Sequence, residues 1–151
     1  GLLGHLGEML QASSQSLQVV LDGSAIPALP GALKLLKKKY ASSLAPANRR
    51  AWSLLDPSQD QPAKVSLAGA GRGVDPEDQQ AMLELLVDPQ TCGPLLLSCS
   101  GAIADALLQA NNTPWHRIGV VSASRADAAD ASAAIPLQAL GPAANPGPTD
   151  P

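Results

Sequence analysis

The sequence predicts an α/β (α+β) fold of the layered kind, with helices packed on a sheet. Three observations carry that expectation. Stretches with apolar residues at helical spacing alternate along the chain with short apolar runs of strand length. Hydrophobic residues make up 45% of 151 residues, which suffices for one core of ordinary size. Aromatics are 2% and Phe is absent, so that core must be built from Leu, Ala, Val and Ile, a composition suited to helices on a sheet.

The first element is an amphipathic helix over residues 1–13. Leu2, Leu3, Leu6, Met9 and Leu10 recur at helical spacing, and the pattern runs out at Ala12, Ser13 and Ser14. Residues 17–21 (LQVVL) read as a strand bounded by the turn residues Asp22, Gly23 and Ser24. Prolines 27 and 30 hold the next stretch extended, and Pro30 is placed as the opening residue of a helix over 31–40. Residues 41–63 carry Ser, Pro, Asn, Asp and Gln around one apolar cluster, Ala51, Trp52, Leu54 and Leu55, and are expected to be mostly loop. A short strand follows at 65–68.

Asp75 then offers an N-cap acid, Pro76 a first helical residue, and Glu77 and Asp78 first-turn acids, so a helix is predicted to about Leu86. A strand over 95–99, a helix over 101–110 and a last strand over 117–122 complete the domain, which is assigned to residues 1–123. From Ser124 onward the chain is Ala, Asp, Ser and Pro with few large apolar residues. Such a composition buries too little surface to offset ordering entropy, and 124–151 are expected to be a disordered tail.

The connector between the third predicted helix and its following strand, DPQTCGP at residues 88–94, is unusually specified. Asp88 precedes a proline and is biased out of the α region, Thr91 can bond to local backbone, and Gly93 takes positive φ freely. Pro94 removes an N–H where a strand begins. The loop is therefore stiff.

Charge and cysteine content exclude several classes of function. A net charge of −3 and a pI near 5.1 argue against nucleic acid as a partner. The one basic run, Lys37 to Lys39, sits at a predicted helix end, where cations suit the macrodipole. Cys92 and Cys99 form no CxxC, and His5 and His116 lie in no ligand spacing, so no metal site is expected within the chain. The usage fits a reducing, cytoplasmic setting. No apolar run reaches the roughly 18 residues of a membrane span. The chain opens at Gly1 already inside a helical pattern, which leads us to expect that the natural protein continues upstream.

Candidate chemistry is sparse. The glycines at 69, 71 and 73 follow a strand and precede a helix, but no Lys-Ser/Thr ends the loop, and acids occupy the helix start where a phosphate would sit. His5 falls on the polar edge of its helix without an identifiable partner, and Cys92 has no neighbouring base to activate it. No nucleophile, base and orienting group assemble, and no catalytic residue is assigned.

Two separated stretches, GLLGHLGEML at 1–10 and LLVDPQTCGPLLLS at 85–98, together resemble the C-terminal domain of selenophosphate synthetase (selenide, water dikinase). In that family the first helix begins in a motif ending Gly-Leu-Leu-Gly-His, and the connector reads Asp-Pro-Gln-Thr-Ser-Gly-Gly-Leu-Leu. Also similar are AIPALPGALKLL, LAPANRR with Asn48, and HRIGVV, so that the resemblance covers residues 1 to about 122. Cys92 and Pro94 depart from the pattern, and Pro94 weakens an anion-cradling role for the loop.

The resemblance implies the layered α/β C-terminal domain of the aminoimidazole ribonucleotide synthetase superfamily, and ATP-dependent conversion of selenide and water to selenophosphate, with AMP and phosphate released. It implies a homodimeric whole protein whose partners are small molecules. ATP and Mg²⁺ would be held mainly by an upstream domain carrying the reactive Cys or selenocysteine, the Lys and the metal-binding aspartates. Interdomain candidates in this chain are His5, Asn48, Asp88, Gln90 and Thr91. The other readings are a same-fold domain of a related ATP-using enzyme, of the aminoimidazole ribonucleotide synthetase or hydrogenase-maturation type, and a non-catalytic binding or dimerisation module.

Overall fold

The computed structural model describes residues 1–59, 63–69, 75–89, 93–110 and 114–123, and the backbone of 135–140. Five strands form one mixed sheet in the order β2-β1-β4-β5-β3. They are β1 Leu17–Asp22, β2 Ala63–Ala68, β3 Leu96–Ser98, β4 Trp115–Ala123 and β5 Ile135–Leu140. β1 and β2 are parallel, with Val19 opposite Val65, while β1–β4, β4–β5 and β5–β3 are antiparallel. The helices are α1 Leu2–Gln11, α2 Ala32–Lys37, α3 Ala45–Asn48, α4 Pro76–Val87 and α5 Gly101–Gln109. The expected α/β architecture is the one observed.

One side of the sheet carries the core. Alternation along β1 turns Val19 and Leu21 inward, where they meet Leu3, Leu6 and Leu10 of α1, Leu86 and Val87 of α4, Val65 of β2 and Ile118 and Val121 of β4. The buried positions of α1, Leu3, Leu6, Gly7 and Leu10, follow the predicted helical stripe. α4 starts as its sequence signals: the Asp75 side chain accepts from the Glu77 N–H at 2.8 Å, and Pro76 opens the first turn.

Gly119 marks the closest approach of two strands. A Cβ there would lie 2.5 Å from the Val20 carbonyl oxygen and 3.2 Å from the Leu21 Cα. Opposite β5, the register slips between Arg117 and Gly119, so that Ile118 and Gly119 together face one residue, Leu137. The bulge turns two consecutive residues, Ile118 and Gly119, into the buried layer.

Three expectations are corrected. Pro30 does not open α2. It forms a turn with Gly31, which has φ 84° and ψ −9°, while the Ala32 N–H donates to the Leu29 carbonyl at 2.9 Å. Those angles are the second inner position of a type II turn, for which Pro-Gly is the favoured pair.

The helix then ends early, at Lys37, because Lys39 takes a left-handed conformation (φ 64°), with Tyr40 N–H bonded to Leu35 and Lys39 N–H to Leu36. This is a Schellman cap with lysine at the site glycine usually fills. Lys39→Gly is therefore expected to stabilise the chain by about 0.5–1 kcal/mol, read as a raised urea midpoint at unchanged slope. Lys37 itself pairs with Asp78 at the start of α4, which holds its ammonium above the ordinary lysine range.

The second correction concerns 41–63, read as mostly loop. Residues Ala45–Asn48 are α-helical and Arg49–Leu55 continue as a 3₁₀ helix. The polar composition misled because this segment draws its stability from α1 and α4 rather than from its own propensity. The third is the tail: Ile135–Leu140, assigned to disorder, forms β5 between β4 and β3. Six residues with alternating apolar character suffice when two strand edges wait for them. Pro136, which has no N–H, lies one residue beyond the stretch covered by β3, where an internal strand tolerates it best. The remainder of 124–151 lies outside the described residues.

Candidate functional site

The site begins with the helix that composition concealed. In a 3₁₀ helix, residues three apart eclipse one another, so Arg49–Leu55 presents three stripes, two of which pack against neighbouring helices. One stripe, Arg49 and Trp52, faces α4. The Arg49 guanidinium forks onto Glu84, Nη2 to Oε1 at 2.9 Å and Nε to Oε2 at 3.3 Å, and Trp52 Nε1 donates to the Leu83 carbonyl at 3.0 Å. The guanidinium carbon stands 5.6 Å from the Trp52 ring centroid. The other stripe, Ala51 and Leu54 in line with Asn48, faces α1, where a Cβ on Gly7 would lie 3.0 Å from Leu54 Cδ1.

Between these elements lies an open cavity of about 170 Å³, lined by Gly1, Gly4, His5 and Glu8 of the first helix, by Asn48, Arg50 and Ala51, and by Val87. Its floor is tight. A Cβ at Gly1 would lie 2.7 Å from the Val87 carbonyl carbon and 2.9 Å from the Asp88 oxygen. The start of α1 is thus pressed against the end of α4, and residues 1–5 meet the connector at 88 although more than 80 positions separate them.

Of the five candidates, His5 and Asn48 line this cavity and Asp88 adjoins it. His5 is exposed, with Nδ1 3.3 Å from Glu8 Oε2, a surface contact of little energetic worth. Asn48 is half-buried and donates from Nδ2 to the Val87 carbonyl at 3.0 Å, satisfying one acceptor that the end of α4 leaves open. Asp88 is the C-cap of α4 (φ −60°, ψ 127°), held out of the helix as its following proline requires. Gln90 and Thr91 lie outside the described residues. Arg50 and Glu8 were missed: they lie within LAPANRR and GLLGHLGEML, but only the fold brings their side chains to the cavity.

The lining does not fit magnesium. The metal is held through one or two carboxylates among oxygen ligands. Here Glu8 is the cavity's one carboxylate, it is engaged by His5, and among the described residues no three His, Cys, Asp or Glu gather as a ligand set. Nor does the volume enclose a nucleotide, for which pockets of roughly 300 Å³ or more are usual. What the arrangement offers is a small polar wall with one guanidinium in its lining, Arg50, backed by two glycines that keep the surface low.

Two selenide, water dikinases, from Nitratidesulfovibrio vulgaris strains DP4 and Hildenborough, are each 32% identical to this chain over 124 residues, 80% of its length. The chain is homologous to part of selenide, water dikinase. It spans 30% of the length of those relatives. Of the two stretches that carry the resemblance, the first lines the cavity through Gly1, Gly4, His5 and Glu8 and the second through Val87. No family model matches the sequence, and no solved structure matches it. Among the described residues no helix is long and apolar enough to cross a membrane.

Proposed function

We propose that this chain is the C-terminal domain of a cytoplasmic, homodimeric enzyme that makes selenophosphate from selenide, water and ATP, releasing AMP and phosphate. The observation that carries the reading is the convergence of Gly1, Gly4 and His5 with Val87 at one open cavity, beside the Asp88 backbone. Both stretches resemble family motifs, although more than 80 positions separate them in the chain. A face built from them, with Asn48 and Arg50 beside it, is suited to border a substrate site completed by another domain. ATP and Mg²⁺ then belong mainly to that other domain, in keeping with a lining that supplies neither a nucleotide-sized pocket nor a carboxylate set. In this arrangement Arg50 and Asn48 orient and exclude water at the rim, and no covalent step is assigned to this chain.

The test is a chimera. Replacing the matching part of the Nitratidesulfovibrio vulgaris enzyme with this chain is expected to give a protein that forms selenophosphate, followed by phosphorus NMR, while the chain alone forms none. A chimera that folds, by circular dichroism and gel filtration, yet makes no selenophosphate would overturn the assignment.

A further inference from the structure

Glu84 is the one buried charged residue among those described, at 7% exposure, and the cavity reading gives it no role. It lies on the face of α4 toward Arg49–Leu55, where its Oε1 accepts from Arg49 and from Gln80 Nε2 (3.2 Å) and its Oε2 accepts from Arg49 Nε. The Glu84 side chain is 9% exposed and that of Arg49 39%, so the desolvation cost falls chiefly on the carboxylate, where an apolar side chain of similar volume is often as stable. What a forked guanidinium–carboxylate contact supplies is direction, because two parallel hydrogen bonds fix both the distance and the rotation of the groups.

The direction matters because of what flanks Arg49. Asn48 and Arg50, its immediate neighbours, both line the cavity, and the chain changes from α to 3₁₀ winding between Asn48 and Arg49. That junction has no side-chain cap of its own. Its rotation relative to α4 is set by the Arg49–Glu84 fork, with the Trp52 and Asn48 bonds to α4 carbonyls above and below it. We infer that Arg49 and Glu84 are a positioning pair, which holds Asn48 and Arg50 in place at the cavity rim by fixing the helix junction against α4.

The inference rests on the cavity reading for its functional meaning, but its first readout does not involve turnover. In this chain, the double variant Arg49→Met with Glu84→Leu is expected to keep its melting temperature within a few degrees. The Asn48 side-chain amide should then shift in the nitrogen–proton NMR spectrum and exchange with solvent at least about tenfold faster. Glu84→Gln, which keeps an acceptor but loses the charged fork, should move the same signals less, and serves if the double variant fails to fold. Unchanged Asn48 signals in a folded variant of either kind would overturn the proposal. In an active chimera, the double variant is expected to lower kcat about tenfold at unchanged melting temperature. Unchanged kcat there would also overturn it, whereas an unmutated chimera without activity counts against the proposed function and leaves the amide signals to decide this point.

Discussion

Truncation after Ala123 is expected to lower the melting temperature by at least about 10 °C, or to abolish a cooperative transition, although the deleted residues look expendable by composition. The reason is β5. It fills the space between β4 and β3, pairing with Trp115 to Val121 on one side and with Leu96 to Ser98 on the other. Without it, β3 keeps no hydrogen-bonded neighbour in the sheet, and β4 becomes an open edge, a liability for aggregation. Thermal melts of the full chain and of a chain ending at Ala123 measure the loss, and a second chain ending at Leu140 separates the effect of β5 from that of residues 141–151. Equal melting temperatures for the first two would show that β5 contributes nothing to the fold.

Gly119→Val should be the most damaging single substitution in β4, costing about 3 kcal/mol or more. The obstacle is backbone: the new Cβ would meet the Val20 carbonyl oxygen at 2.5 Å, and a strand paired on both sides has little room to retreat. Relief would require parting β1 from β4 at the centre of the sheet or undoing the bulge that buries Ile118. Gly119→Ala makes the same contact with less bulk and should cost less in the same direction. Urea unfolding of both variants provides the check, and a neutral Gly119→Ala would show that the two strands can part freely. The glycine of HRIGVV is thereby given a physical role.

Several elements were legible in the sequence because their causes are local. Asp75, Pro76 and the two following acids specify the start of α4 within one turn, and the observed cap uses the predicted side chain. The stripe of Leu3, Leu6 and Leu10 needs only helical spacing to be recognised, and Asp88 before Pro89 closes α4 as the dipeptide demands. The end of α2 was not legible, because a left-handed residue there is expected to be glycine and the chain has Lys39.

The site was legible only in part, and chiefly through the resemblance. His5, Asn48 and Asp88 entered as candidates on that ground, and the meeting of His5 and Asn48 at one cavity, with Asp88 beside it, is a matter of tertiary structure. No motif marks Glu84, and only the fold sets Arg49 opposite it. By itself the sequence determined the layered α/β class, the start of α4 and the inward face of α1, since periodicity and capping depend on neighbours within a turn. Tertiary structure alone decided the helix at 45–55, the insertion of β5 and the meeting of residues 1–5 with 88. Each of these gains its free energy from a partner distant in the chain, and no local pattern names that partner.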